Sequence, residues 1–235
     1  MHFSLTDLAA DITQNCAESG ADLVELAIEE ISPGPARQAG DVPSKAGGPV
    51  RQAGGVPSKA EFRFIARDNG KGMTGAELDR AMDPFVTDGV KHPGRKVGLG
   101  IPFLIQTALQ SGGGWKISTV KAGECAVRGS KDSAASPGTG SVTGSAAGGN
   151  AGTVVEAWFD LANVDTPPVG DIPGLFRTVM LFSGPAEIVL KRKRQGGGDL
   201  DYEVKKTELE EVLGGLEDVS SLALLGKYLR SLEDE

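Results

Sequence analysis

Six residues, Asp68-Asn69-Gly70-Lys71-Gly72-Met73, follow the apolar run Phe62-Arg63-Phe64-Ile65-Ala66 and read as a turn with one carboxylate at its mouth. Glycines at Gly70 and Gly72 allow positive φ and let the backbone approach a flat ligand closely. Taken alone, such a turn is weak evidence, because Asn-Gly pairs punctuate many loops. Two other constellations accompany it. Upstream, Asp11, Asn15 and Glu18 fall within about 60° of one another on a helix at 100° per residue. A carboxamide one turn after a carboxylate can coordinate Mg²⁺ while the acid orients a water; the plainer reading is a solvated helix face. Asn15 is the discordant member of such a face, since asparagine is a poor helix former. Downstream, Arg95-Lys96-Val97-Gly98-Leu99-Gly100-Ile101 directly precedes a helical pattern. Backbone N–H groups at a glycine-rich helix start suit an anion such as a triphosphate, and Arg95 and Lys96 would add charge; a plain loop with solvated basic residues is the alternative. No Gly-Lys-Ser/Thr follows at P-loop spacing and no G-x-G-x-x-G follows a strand, so a Walker or Rossmann site is excluded.

Positioning these residues requires a particular order of elements. Thr6 to Ser19 reads as a helix capped by Ser4 or Thr6. Asp22 to Ile31 and Glu61 to Arg67 read as strands, Gly75 to Met82 and Leu99 to Gln110 as helices, and Trp115 to Val120 and Thr153 to Phe159 as strands. Two low-complexity stretches interrupt them. The first, about 32–59, holds a near-duplicate in which Arg37 to Ala46 recurs as Arg51 to Ala60; two Gly/Pro-rich copies do not make a solenoid. The second, about 128–152, is Gly/Ala/Ser/Thr-rich and cannot offset its ordering entropy. Both are expected as flexible insertions. The pattern predicts an α+β two-layer sandwich over residues 1–162. Residues 163–235 are expected as a small C-terminal α+β appendage: a helix around Gly174 to Phe182, a hairpin of Glu187 to Arg194 with Leu200 to Lys205, and helices at Thr207 to Leu213 and Val219 to Leu232.

Composition narrows the function classes. Among 235 residues, 39% are hydrophobic and 34 are glycine, so the ordered core is smaller than the length implies. A net charge of −8 and a pI near 4.9 argue against non-specific nucleic-acid binding. Cys16 and Cys125 are too few for a disulfide framework or a zinc site, and Cys16 reads as a buried thiol. With no targeting segment and no window approaching a membrane span, the expected location is cytoplasmic, with no membrane partner. His2 and His92 are the only histidines, and neither lies in a helix suited to accept a phosphoryl group.

Together the three constellations resemble the GHKL ATPase superfamily: Asp11-Ile-Thr-Gln-Asn15-Cys-Ala-Glu18 looks like its N box, Asp68 to Met73 its G1 box and Gly98-Leu99-Gly100 its G2 box. Gly152-Thr153 before a strand looks like its last motif. The chain is most similar to small stand-alone, histidine-kinase-like ATP-binding proteins, through Leu8 to Ala21, through Asp83-Pro84-Phe85-Val86-Thr87 with Arg95 to Pro102, and through Pro168-Val169-Gly170-Asp171-Ile172. The resemblance implies the Bergerat fold, a mixed sheet with helices on one face, and ATP and Mg²⁺ as cofactors. It implies that Asn15 ligates Mg²⁺ and that Asp68 accepts the adenine amino hydrogen bond with Thr153 in support. Gly70, Gly72 and Met73 would line the adenine pocket, and Arg95, Lys96, Gly98, Leu99 and Gly100 would serve the phosphates and the lid. Asp11 falls where the hydrolysing branches carry a glutamate base; aspartate reaches one methylene less far, and catalysis is sensitive to displacements of about 1 Å. The implied function is a signalling or regulatory protein kinase, or a slow ATPase, acting on a partner protein. It is not a self-contained histidine kinase. The alternative is an ATP-gated binding module without turnover, whose lid over 84–97 and C-terminal appendage engage the partner.

Overall fold

The computed structural model describes residues 4–32, 59–85, 100–121, 123–130, 151–196, 198–216 and 218–234. Arg95, Lys96, Gly98, Leu99, both histidines, most of the 84–97 lid and most of the two low-complexity stretches lie outside the described residues. In chain order the elements are α1 (Leu5–Ala17), β1 (Leu23–Ile31), β2 (Glu61–Asp68), α2 (Gly75–Met82), α3 (Gly100–Gln110), β3 (Gly114–Lys121), β4 (Glu124–Gly129), β5 (Gly152–Asp160), α4 (Ile172–Met180), β6 (Glu187–Gln195), β7 (Leu200–Lys205), α5 (Lys206–Leu213) and α6 (Val219–Glu233). They form an α+β architecture around a mixed seven-stranded sheet of order β4-β3-β5-β2-β1-β6-β7. Only β1 and β6 run parallel; the other neighbours are antiparallel.

Period-2 alternation decides which face of the sheet is buried. Val24, Leu26 and Ile28 of β1, Phe62, Phe64 and Ala66 of β2, and Val155, Ala157 and Phe159 of β5 point into the core, where Phe64 stacks on Phe159 at 6.1 Å between ring centroids. The opposite face carries ion pairs such as Arg63 with Glu156 and Lys191 with Glu25. Helix α1 covers the apolar face with Leu5, Leu8, Ala9, Ile12 and Cys16, a helical period of buried side chains. Its start is a capping box: the Asp7 amide donates to Ser4 Oγ, and the Ser4 amide donates to the Asp7 carboxylate.

The C-terminal residues, expected as an appendage, enter the same sheet. β6 pairs with β1 along its whole length, from Leu23 opposite Glu187 to Ile31 opposite Gln195. The carbonyls of Pro168 and Val169 accept from the Leu5 and Thr6 amides, satisfying donors that the first turn of α1 leaves open. α4 starts at Ile172, two residues before the expected start, because the Asp171 side chain caps it.

The second low-complexity stretch is shorter than its sequence implies. Strand β4 pairs with β3 from Lys121 opposite Glu124 to Lys116 opposite Gly129, and β5 begins at Gly152. Only Ala126 of β4 is buried, while Cys125 and Val127 are exposed, so this edge strand lacks the alternating pattern that betrays its neighbours.

Candidate functional site

The alternation of β2 continues past Phe62, Phe64 and Ala66 to Asp68, which therefore lands on the core face at the strand end. Register places Thr153 of β5 opposite Asp68, and Thr119 of β3 opposite Thr153. Asp68, Thr153 and Thr119 thus form a polar row across three adjacent strands at one end of an otherwise apolar surface. All three are buried, at 7%, 8% and 1% exposure.

The last turn of α1 closes over this row. Asp68 Oδ1 accepts from the Gly70 amide at 2.9 Å and from Ser19 Oγ at 3.2 Å. Burial pushes the Asp68 carboxyl above its ordinary value, against hydrogen bonds from the Gly70 amide, the Cys16 thiol, Ser19 and the Thr153 amide that favour its charge. The Cys16 thiol is pushed well up, first by burial and then by the neighbouring Asp68 charge, so it stays a neutral donor.

The turn after Asp68 is pinned along its length. Asn69 Oδ1 accepts from the Asp22 and Leu23 amides, each at 3.0 Å. A Cβ at Gly70 would overlap the Ser19 hydroxyl. Gly72 has φ +63°, and a Cβ there would overlap the Val120 carbonyl. Met73 is partly buried against the core, and its amide donates to Thr119 Oγ1 at 2.8 Å.

On the outer face of α1, Asp11, Asn15 and Glu18 are all exposed, as their helical spacing requires. Glu18 accepts from Gln14 Nε2 at 2.9 Å. The Asn15 carboxamide makes no hydrogen bond among the described residues. A Cβ on Gly100, the first residue of α3, would come within 3.3 Å of Asn15 Nδ2, so the start of α3 abuts this side chain. The structure therefore gathers Asn15, Asp68, Gly70, Gly72, Met73, Thr153 and Gly100 about the C-terminal half of α1 and the ends of β2, β3 and β5. Asp11 lies one turn earlier on the Asn15 face.

Ser19, Cys16, Asn69 and Thr119 belong to this cluster without having been singled out as site residues. For Thr119 a signal was available: it follows the inward positions Trp115 and Ile117 at period 2, so it is a hydroxyl placed at a core position. Ser19 and Asn69 act through contacts between α1, β1 and the turn, which no local pattern encodes. A scan against protein-family models gives no match for this chain, and a comparison with curated proteins gives none either.

Proposed function

We propose that this chain is a Mg-ATP-binding protein of the histidine-kinase-like ATPase type, with the Bergerat arrangement of its mixed sheet, and that it acts as a regulatory kinase or slow ATPase on a partner protein. The observation that carries this reading is the convergence of three separate sequence segments at the last turns of α1. Asp68 and its glycine turn meet Cys16 and Ser19, Gly152-Thr153 pairs with Asp68, and Gly100 abuts Asn15. A buried carboxylate beside a glycine turn suits an amino-bearing flat base, because it offers a strong acceptor in a site that excludes water.

Among the described residues no group of three or more His, Cys, Asp or Glu side chains could cage a metal ion. An exposed carboxamide with no hydrogen-bond partner among the described residues does fit Mg²⁺, which keeps several waters and binds chiefly through substrate phosphates. Asn15 would hold the ion, and bound Mg²⁺ would neutralise phosphate charge. Asp11, one helical turn before Asn15 on the same exposed face, would accept a proton from an attacking water or hydroxyl. Its shorter arm favours slow turnover.

The test is the fate of γ-labelled Mg-ATP incubated for hours with the purified chain and with Asp11→Asn, binding being measured separately by calorimetry. Turnover that disappears in Asp11→Asn while affinity is retained supports the kinase or ATPase reading with Asp11 as base. Binding without turnover in the parent supports the ATP-gated module instead. Absence of nucleotide binding overturns both.

A further inference from the structure

The polar row Asp68–Thr153–Thr119 contains one member with no part in the reading above. Thr119 is 1% exposed, and a buried hydroxyl is tolerated only when it is hydrogen-bonded. Its Oγ1 accepts from the Met73 amide at 2.8 Å and lies 3.1 Å from both Thr153 Oγ1 and the Gly152 carbonyl oxygen. A hydroxyl has one proton and two lone pairs. With the Met73 amide on one lone pair, two arrangements satisfy the group. In one, Thr119 donates to the Gly152 carbonyl and accepts from Thr153. In the other, it donates to Thr153 and leaves the Thr153 proton free. In both, Thr119 occupies one hydrogen-bonding position of the Thr153 hydroxyl, and in the first it also fixes where the Thr153 proton points. The same side chain ties down the far end of the turn that begins at Asp68, whose near end is held by the Gly70 amide and by Asn69.

We propose that Thr119 is a positioning residue for base recognition: by joining Met73, Gly152 and Thr153, it fixes the Thr153 hydroxyl and the Asp68 carboxylate relative to each other so that together they read an exocyclic amino group. The proposal rests on the nucleotide reading above. Its physical basis is that three backbone segments meet at one buried hydroxyl, beside the two groups that would touch the base. Hydrogen bonds that fix geometry matter most where the recognised group offers only one or two contacts.

The experiment measures Mg-complexed ATP and Mg-complexed purine riboside triphosphate, which lacks only the 6-amino group, by calorimetry on the full chain. The proteins are the parent, Thr119→Val, which keeps the shape and deletes the hydroxyl, and Thr119→Ser, which keeps the hydroxyl. The expected result is a parent that prefers ATP, a loss of about tenfold in ATP affinity in Thr119→Val, no change in affinity for the amino-free analogue, and recovery in Thr119→Ser. Equal losses for both nucleotides would reduce Thr119 to a structural residue and overturn the proposal, as would an unchanged preference in Thr119→Val or a failure of Thr119→Ser to recover. A parent that binds both nucleotides equally would overturn the proposal alone, whereas a parent that binds neither would overturn the nucleotide reading itself, so the two failures are told apart by the parent.

Discussion

The Asp68 carboxylate is held at 7% exposure, and burial outweighs the hydrogen bonds that favour its charge, so its pKa lies above the ordinary 3.8. The sign of the consequence follows from linkage. A carboxyl whose folded pKa exceeds its unfolded one contributes stability that is present below the unfolded value and lost as pH rises through the folded value. At neutral pH the charged Asp68 therefore weakens the fold. Asp68→Asn keeps an oxygen for the Gly70 amide and Ser19 and removes the charge. It is expected to melt at the same temperature as the parent or higher at pH 7, with the difference shrinking as pH falls through the raised pKa of the folded state and gone below about 4, while nucleotide binding is lost. Thermal melts across pH together with calorimetry check this, and retained nucleotide affinity would sink the role assigned to Asp68. Such an exchange of stability for function is common where a buried charge serves recognition. Both Asp68 and its glycines can be read from the chain itself, because a period-2 strand running straight into a D-x-G-x-G turn states its own geometry. Asn15 can be read equally well, as a poor helix former on a helix. The hydrogen bonds from Ser19 and Thr119 cannot, since each joins residues distant in sequence.

At the level of elements, α6 is fastened to the sheet by a buried charge cluster. Arg192 of β6 is 1% exposed and donates to Glu30 of β1 at 2.8 Å and to Glu233 at the end of α6 at 3.0 Å; the Tyr202 hydroxyl of β7 donates to the same Glu233 at 2.8 Å. Burial and the Glu233 charge push the Tyr202 hydroxyl far above its ordinary value, so it remains a donor at any working pH. Removing one partner of a buried pair leaves an uncompensated charge. Glu233→Ala is expected to destabilise by about 3 kcal/mol, the low end of the usual range because Glu30 remains. Urea unfolding would measure it, and a change below about 0.5 kcal/mol, typical of an ordinary surface site, would show that α6 is held by its apolar face alone. Elements of this kind divide cleanly by how they announce themselves. The β6–β7 hairpin is visible from the apolar run Ile188-Val189-Leu190, the alternation of Leu200, Tyr202 and Val204, and the glycines between the two strands. Its place beside β1 is not, because parallel pairing joins strands far apart in sequence and leaves no turn to read. β4 escapes for a different reason: an edge strand with one buried side chain has almost no pattern to offer.

Across the whole molecule, β1 is an interior strand with β2 on one side and β6 on the other. Ile31 and Glu61 are direct cross-strand partners, so a short turn can join them. Replacing residues 33–59 by Asn-Gly is expected to leave the far-UV spectrum and cooperative unfolding intact. It should raise stability by about 1–2 kcal/mol through cheaper loop closure. Loss of cooperative unfolding would mean that the excised residues belong to the fold. The parallel partner is a different matter. In synthesis, Glu187, which Leu23 faces in the finished sheet, emerges on the order of ten seconds after Leu23 at about 5–20 residues per second. Until then β1 presents a bare row of amides and carbonyls above Leu26 and Ile28, the kind of edge on which neighbouring nascent chains add strands. The Pro168 and Val169 carbonyls that receive the first amides of α1 arrive late as well. Segments that meet at the Asp68 end of the sheet can thus be assembled on the ribosome while the flank of β1 is still open, and that flank closes only once β6 has been released.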